Sequence, residues 1–543
     1  MQALPSVMNQ GHQFSRVPVA NIQRSAFDRS HSRKMTFDAG YLNVFYRDWM
    51  LPGDTFKCHA TFLTRLSSTA LNKPVMDNMY LETFFLACPW RLVWTNSKKF
   101  FGEQAPLTYT SYLIPTIPTP AAGVVTGSLT NQFGIPFFAA SKSINSLWHR
   151  FYNLAWNQLF RDQNLQAEVV VDLDDGPDTY ADYVLLKRGK RHDQFTGALP
   201  FLQKGTALTI PLGTYAPLKG IGTDPTNWGS APDVNKTVRQ YSFTTEVLPH
   251  AWKVNPSADG GANNGVALYI QTDPDHNGYP KFYADLTNAY SATVNALRQT
   301  VALQQMLEID ARAGTRYIEV VKGHFGVTSP DMRQQRVEFL NSGQTKIMIN
   351  PVAGTNQVGS GATAAGQLTA FGTAVGGGHG FTYSATEHTL LLGLVCVRAD
   401  LTYQQGVHKD FMASTKYDIY WPALANIGEE AVLQGEIFAD GTANDAIVFG
   451  YQERYYSYRY KPSEIVGSFT SNPSAGVTSL EAYHLSQDFA AAPTLGTTFI
   501  QETPPMARIK AVTTEPDFLA DIWIDLKCAR PMPLYGVPGM MRL

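Results

Sequence analysis

Residues 54–66 alternate with a period of two, placing Phe56, Cys58, Ala60 and Phe62 on one side and Lys57, His59 and Thr61 on the other. That period belongs to a half-buried β-strand, and Pro52-Gly53-Asp54 supplies turn chemistry before it. The pattern returns near the other end of the chain, where Ile522, Ile524 and Leu526 alternate with Trp523, Asp525 and Lys527. A denser apolar run at residues 79–94 (Tyr80, Leu81, Phe84, Phe85, Leu86, Trp90) reads as a strand buried on both faces, and residues 388–401 (Leu390, Leu391, Leu392, Leu394, Val395, Val397) as a continuous apolar strand. Strand signals at both ends, with helices and loops between, point to one elaborated β-framework. The first and last strands of a β-sandwich or jelly roll often pair, while inner connections absorb insertions.

Composition agrees with this. With 44% hydrophobic and 16% charged residues, a 543-residue chain buries a large core without staples, and 43 glycines, 32 prolines and 12% aromatics favour short strands joined by turns. The four cysteines, Cys58, Cys88, Cys396 and Cys528, lie far apart, three of them in strand-like apolar text, and are expected as buried, reduced thiols. No apolar stretch has the length of a signal peptide core or a membrane span, so no membrane insertion is expected.

Two helices interrupt the strand text. Residues 144–160 place Leu147, Phe151, Leu154, Ala155 and Leu159 at spacings of three and four, and residues 286–313 carry a stripe of Val294, Leu297, Val301, Leu303, Met306 and Leu307 that stops at Gly314. Residues 107–120 are Pro-rich and irregular. Residues 199–278 read as a turn-rich surface insertion, and residues 354–380, rich in Gly and Ala and nearly uncharged, as a loop unable to fix itself. Residues 1–34 read as a basic arm, with Arg16, Arg24, Arg29, Arg33 and Lys34 against Asp28, a net of 5 − 1 = +4. Residues 35–543 then form one elaborated domain.

Since the whole chain has a formal charge of −2, any nucleic-acid contact must be local. The basic residues of the arm (Arg24, Arg29, Arg33, Lys34) and the cluster Lys187, Arg188, Lys190 and Arg191 are the DNA-contact candidates; subunit pairing is the other reading of both. Tyr451, Arg454, Tyr455, Tyr458, Arg459 and Tyr460 interleave aromatic and basic groups, which suits a packed subunit contact better than base stacking. Asp172, Asp174, Asp175 and Asp178 gather carboxylates, yet Tyr183 stands at the twelfth position from Asp172 where a calcium loop needs Glu, so a polar turn is the expectation and no metal or cofactor is assigned. Hydrolase, metalloprotease and phosphate-loop signatures are absent, and no enzymatic activity is expected.

Longer strings carry a family resemblance. Phe37-Asp38-Ala39-Gly40-Tyr41-Leu42, Leu51-Pro52-Gly53-Asp54-Thr55-Phe56, Leu185 to Asp193 with Phe195-Thr196, Gly314-Thr315-Arg316-Tyr317, His324 to Asp331, Val397 to Gly406, Tyr420-Trp421-Pro422-Ala423-Leu424, Phe449 to Tyr455 and Lys527 to Gly539 resemble, in order, the major capsid proteins of gokushovirus-type Microviridae. The resemblance spans nearly the whole chain. It implies a mainly β fold, a single eight-stranded viral jelly roll of two facing antiparallel sheets with large loop insertions and a few helices. It also implies a T=1 shell of 60 self-associated copies around circular single-stranded DNA, with residues 199–278 as the three-fold protrusion. The partners implied are a DNA pilot protein, a small basic DNA-binding protein and a bacterial surface receptor. The site implied is the virion, assembled in the host bacterial cytoplasm. The competing class is a bacterial carbohydrate-binding or hydrolytic β-sandwich with Trp228 and Trp252 as a sugar platform.

Overall fold

The computed structural model describes residues 23–66, 71, 73–103, 110–138, 140–205, 208, 218–219, 221–222, 269–270, 283–284, 294–313, 317–326, 335–353 and 368–535. The chain divides into two compact units, Met1–Leu202 with Gly326–Leu543, and Gln203–Phe325.

In the first unit the strands of four or more residues are β1 (Ser25–Asp28), β2 (His31–Phe37), β3 (Asn43–Met50), β4 (Thr55–Leu66), β5 (Met79–Pro89), β6 (Glu338–Ala353), β7 (Leu368–Ser384), β8 (Thr389–Ala399), β9 (Glu429–Leu433), β10 (Val448–Glu453) and β11 (Phe518–Arg530). One sheet runs β2-β11-β4-β7 and the other β6-β5-β8-β3, every pairing antiparallel. β6 belongs to both, pairing with β5 from Glu338 to Ile347 and with β7 from Met348 to Ala353, so it carries the chain from one sheet into the other. β1 extends the β2 edge by pairing Ser25 to Asp28 with Arg530 to Lys527. This is the eight-stranded jelly roll, and β9 and β10 form a separate hairpin.

Burial explains why the strands read so differently in sequence. Between the sheets lie Phe45, Phe56, Phe62, Phe85, Leu391, Val395, Ile522 and Ile524. The outer face of β5-β8-β3 is covered as well: Leu42, Val44, Leu86, Cys88, Leu392 and Cys396 pack with Trp94, Phe133, Leu147, Phe151 and Tyr152. β8 is therefore buried at every position, whereas β4 and β11 keep one exposed face and show the alternation. The covering helix, α1 (Leu147–Ala155), is anchored by Tyr152, whose hydroxyl donates to the Leu42 carbonyl at 2.9 Å and accepts from the Leu186 N–H at 2.9 Å. All four cysteines are free and buried.

Two expectations change. Of the segment read as a basic arm, residues 25–28 and 31–34 are sheet edge, because cross-strand pairing with β11 organises basic text that has no apolar period of its own; residues 1–22 lie outside the described residues. Of the segment read as a Gly/Ala-rich loop, residues 368–380 are strand β7. Its buried positions Ala370, Gly372, Ala374 and Gly376 alternate like any strand. Small side chains are needed there, since a Cβ at Gly372 would stand 2.2 Å from Leu66 and one at Gly376 2.1 Å from the Thr345 hydroxyl. Residues 354–367 lie outside the described residues.

The second unit contains α2 (Val294–Ala313) packed with α3 (Tyr317–Phe325), with His324 Nε2 2.7 Å from an Asp310 carboxylate oxygen. The unit takes in the second predicted helix, so it reaches beyond residues 199–278. Leu297, Val301, Leu303 and Met306 of the predicted stripe are exposed. Gly314, the expected cap, and most of residues 199–278 lie outside the described residues, as do Trp228 and Trp252.

Back in the first unit, the strand frame is stitched at Gly40. Its N–H donates to the Val397 carbonyl at 2.9 Å, its carbonyl accepts from Arg188 N–H at 2.9 Å, and its φ is +80°. A Cβ there would lie 2.1 Å from the Glu502 carbonyl oxygen, a backbone atom that cannot rotate away. Gly40→Ala is expected to lower unfolding stability by at least about 3 kcal/mol in urea titrations. The buried Glu502 carboxyl beside this junction is pushed up to about 7 from 4.5 by burial, against the pull of the Ala399 N–H, Lys190, Arg188 and Arg398. The folded chain thus holds a proton that the unfolded chain has released between about pH 4.5 and 7, so Glu502 makes stability fall as pH rises through that window and level off above it. Comparing urea midpoints at pH 5 and pH 8, Glu502→Gln should remove a loss of roughly 3 kcal/mol.

Candidate nucleic-acid and subunit interfaces

The basic residues at the sheet edge have distinct fates. Arg24 donates to Thr55 Oγ1 at 2.6 Å and to the Ala529 carbonyl at 3.3 Å. Arg29 forks onto Asp48 at 2.5 and 3.1 Å. Lys34, opposite Asp521 in the ladder, pairs with it at 2.8 Å. Arg33 has no carboxylate partner among the described residues and donates to the Gln132 carbonyl.

The cluster at Lys187 to Arg191 is turned largely inward. Glu82, on β5, receives Arg188, Arg191 at 3.3 Å and Arg398 at 2.6 Å. Burial opposes ionisation of Glu82, but Arg188 and Arg398 outweigh it and hold the carboxyl below its ordinary range. Arg188 also stacks 4.9 Å from the Phe84 ring. Lys190 is buried 4.6 Å from the Phe499 ring and bonded to Gln487 at 3.2 Å, and burial takes its pKa down to about 8. Lys187 lies 5.2 Å from the Tyr41 ring, and Arg191 is the exposed member. Glu82, more than a hundred residues away in sequence, gave no local sign that it would gather Arg188 and Arg191.

The acidic turn is equally committed. Arg150, fully buried on α1, donates its Nε to Asp178 at 2.7 Å and pairs with Asp174 at 3.3 Å, while Asp175 accepts from Trp94 Nε1 at 2.7 Å and Asp172 from Tyr183 at 3.0 Å. These carboxylates orient α1 and its neighbours rather than gathering around one point. Among the described residues no group of three or more His, Cys, Asp or Glu is placed to hold a metal ion.

The aromatic cluster sits on the β9-β10 hairpin and the turn after it. Tyr451 pairs with Ala431 and exchanges 2.8 Å hydrogen bonds with Leu199. Tyr455 is buried at φ 62°, an uncommon left-handed conformation for a bulky residue, which turns the chain sharply out of β10. Its ring packs 5.2 Å from Tyr420 and 6.2 Å from Tyr458. Arg454 lies 5.0 Å from the Tyr455 ring, and Arg459 pairs with Glu453. Around this core the surface is aromatic: Tyr458 is 60% exposed, Tyr417 56% and Trp421 50%, and Tyr460 follows two residues after Tyr458, also exposed. Tyr417 and Trp421 were not singled out as contact residues by sequence reasoning, because they come from a different loop and only folding places that loop beside the tyrosines.

A capsid protein (F protein) family profile matches residues 15–540. The chain is 42% identical over 542 residues to the capsid protein VP1 of Bdellovibrio phage phiMH2K, covering 97% of each chain. It is 38% identical to the capsid protein VP1 of Chlamydia phage 1, covering 99% of each, and 31% identical to that of Spiroplasma virus 4, covering 98% of each. With a jelly roll whose two ends pair with each other and a likeness running from end to end, this chain belongs to the F-type capsid protein family, in its gokushovirus-like branch.

Proposed function

We propose that the chain is the shell subunit of a T=1 icosahedral capsid of 60 copies, enclosing a circular single-stranded DNA genome and presenting loops of its second unit to a bacterial surface receptor. The observation that carries this reading is the full-length likeness to phage capsid proteins, supported by a rigid sandwich with a large apolar loop surface left uncovered. The role is structural rather than catalytic: assembly works by many weak contacts repeated under symmetry. Assembly takes place in the host cytoplasm and the product is the virion. A net charge of −2 makes a separate small basic DNA-binding protein a natural companion for the genome, with a DNA pilot protein as the further partner.

We also read the surface around Trp421 and Tyr458 as a contact between copies. Aromatic anchors of this kind dominate interface energetics. Electron microscopy of the purified chain should show closed shells protecting single-stranded DNA from nuclease; monomers that never close, or shells holding no DNA, would contradict the reading. Trp421→Ala should raise the concentration needed for shell formation at least tenfold, read by light scattering during assembly, while leaving the subunit's thermal midpoint, read by calorimetry, unchanged.

A further inference from the structure

Where β2 of one sheet runs beside β3 of the other, two arginines are held together without an acid. Arg33 donates to the Gln132 carbonyl and Arg47 Nε to the adjacent Phe133 carbonyl at 2.6 Å, both at the end of the short helix Leu129–Gln132. Neither has a carboxylate within 4.0 Å among the described residues. Each spends one donor group on a carbonyl, and a guanidinium has five N–H groups. Burial and the neighbouring Arg47 take Arg33 down to about 10, and burial lowers Arg47 too. An anion would relieve both effects.

Space and charge surround the pair. Cavities of about 910 Å³ and 530 Å³ open on either side, and both are lined by His31, Arg33 and Gly134. Arg65, exposed and without an acidic partner among the described residues, lines the larger, and Arg47 the smaller. The acids of these walls are already taken, Asp48 by Arg29 and Asp521 by Lys34. In a chain whose net charge is −2, three arginines along one groove with no carboxylate within 4.0 Å among the described residues are a local excess. Trp49 lies in the smaller cavity, 40% exposed and stacked 6.3 Å from Trp148 at 21°, with Arg47 5.8 Å from the Trp148 ring.

We propose that this groove binds the phosphodiester backbone of single-stranded DNA, with Arg33 and Arg47 as phosphate ligands, Arg65 as a further cation and Trp49 as a stacking surface for a base. Unpaired guanidiniums beside an exposed ring are the means by which proteins hold single strands without reading sequence. The inference rests on the DNA-enclosing reading above and assigns it a place. It moves the main contact away from Arg188 and Lys190, which are spent on Glu82, Gln487 and the Phe499 ring.

The test is fluorescence anisotropy of labelled oligo-dT with the purified full-length subunit across a salt series. Each phosphate contact on a single strand contributes about 0.7 to the slope of log affinity against log salt, so Arg33→Gln with Arg47→Gln should flatten the slope by about 1.4 and weaken binding roughly 25-fold at about 0.1 M salt. Arg33→Lys with Arg47→Lys should keep the slope. Should the Gln pair fail to fold, photocross-linking of iodouracil-substituted oligonucleotide to the unaltered subunit decides the matter: adducts on the groove's walls, at residues 29–49, 63–65, 131–134, 148 or 519–521, support the groove, and adducts confined elsewhere overturn it. An unchanged slope in a folded Gln variant, or lost assembly with DNA affinity intact, also overturns it, the latter because the arginines would then serve a neighbouring copy. If the unaltered subunit bound no oligo-dT and its particles held no DNA, the failure would be that of the DNA-enclosing reading itself.

Discussion

The pairing of the last strand with the first holds this molecule together. β11 lies between β2 and β4, with Ile522 opposite both Arg33 and Phe62, and its end reaches β1. Ile522, Ile524 and Leu526 drive into the space between the sheets, where Phe45, Phe56, Phe62 and Phe85 meet them. Without β11 one sheet loses its central strand and β2 has nothing to pair with. Loops hundreds of residues long can hang between such closed ends because the entropy of loop closure grows only slowly with length. The same arrangement makes folding depend on contacts nearly five hundred residues apart, which favours slow closure after the whole chain is available.

The second constraint is that the two sheets do different work. β5 and β8 are covered on both faces, by the opposite sheet and by the α1 layer. Buried charges lock that layer in place: Arg150 against Asp178 beneath α1, and Arg188 and Arg398 on Glu82 at the β5-β8 face. A buried pair is costly to break from one side, since the survivor is left charged in a dry site. The β2-β11-β4-β7 sheet keeps its outer face open, with Lys57, Leu63, Arg65 and Trp523 exposed on it.

How much was legible in sequence follows from these constraints. Strands that keep one wet face announce their period, as at Phe56 to Phe62, and strands buried on both sides announce themselves as apolar runs, as at Leu390 to Val397. Helix α1 was readable because Leu147, Phe151 and Leu154 share one face. β2 was not, because an edge strand carrying Arg33 and Lys34 takes its order from β11 and shows no apolar alternation. β7 hid because glycine contributes nothing to a hydrophobic period even where it is buried. Of the candidate site, the tyrosines were visible as a run, while Arg47 and Glu82 acquire meaning only through partners that the fold brings from far away.

Amide hydrogen exchange on the unassembled subunit tests the central role of β11 most directly. If the frame depends on that strand, the N–H groups from Ile522 to Leu526 exchange only through global unfolding, with the same opening free energy as those of β4. Exchange of these amides well ahead of β4, as fast as a fraying edge strand, would show that the sandwich stands without its last strand and would contradict the account.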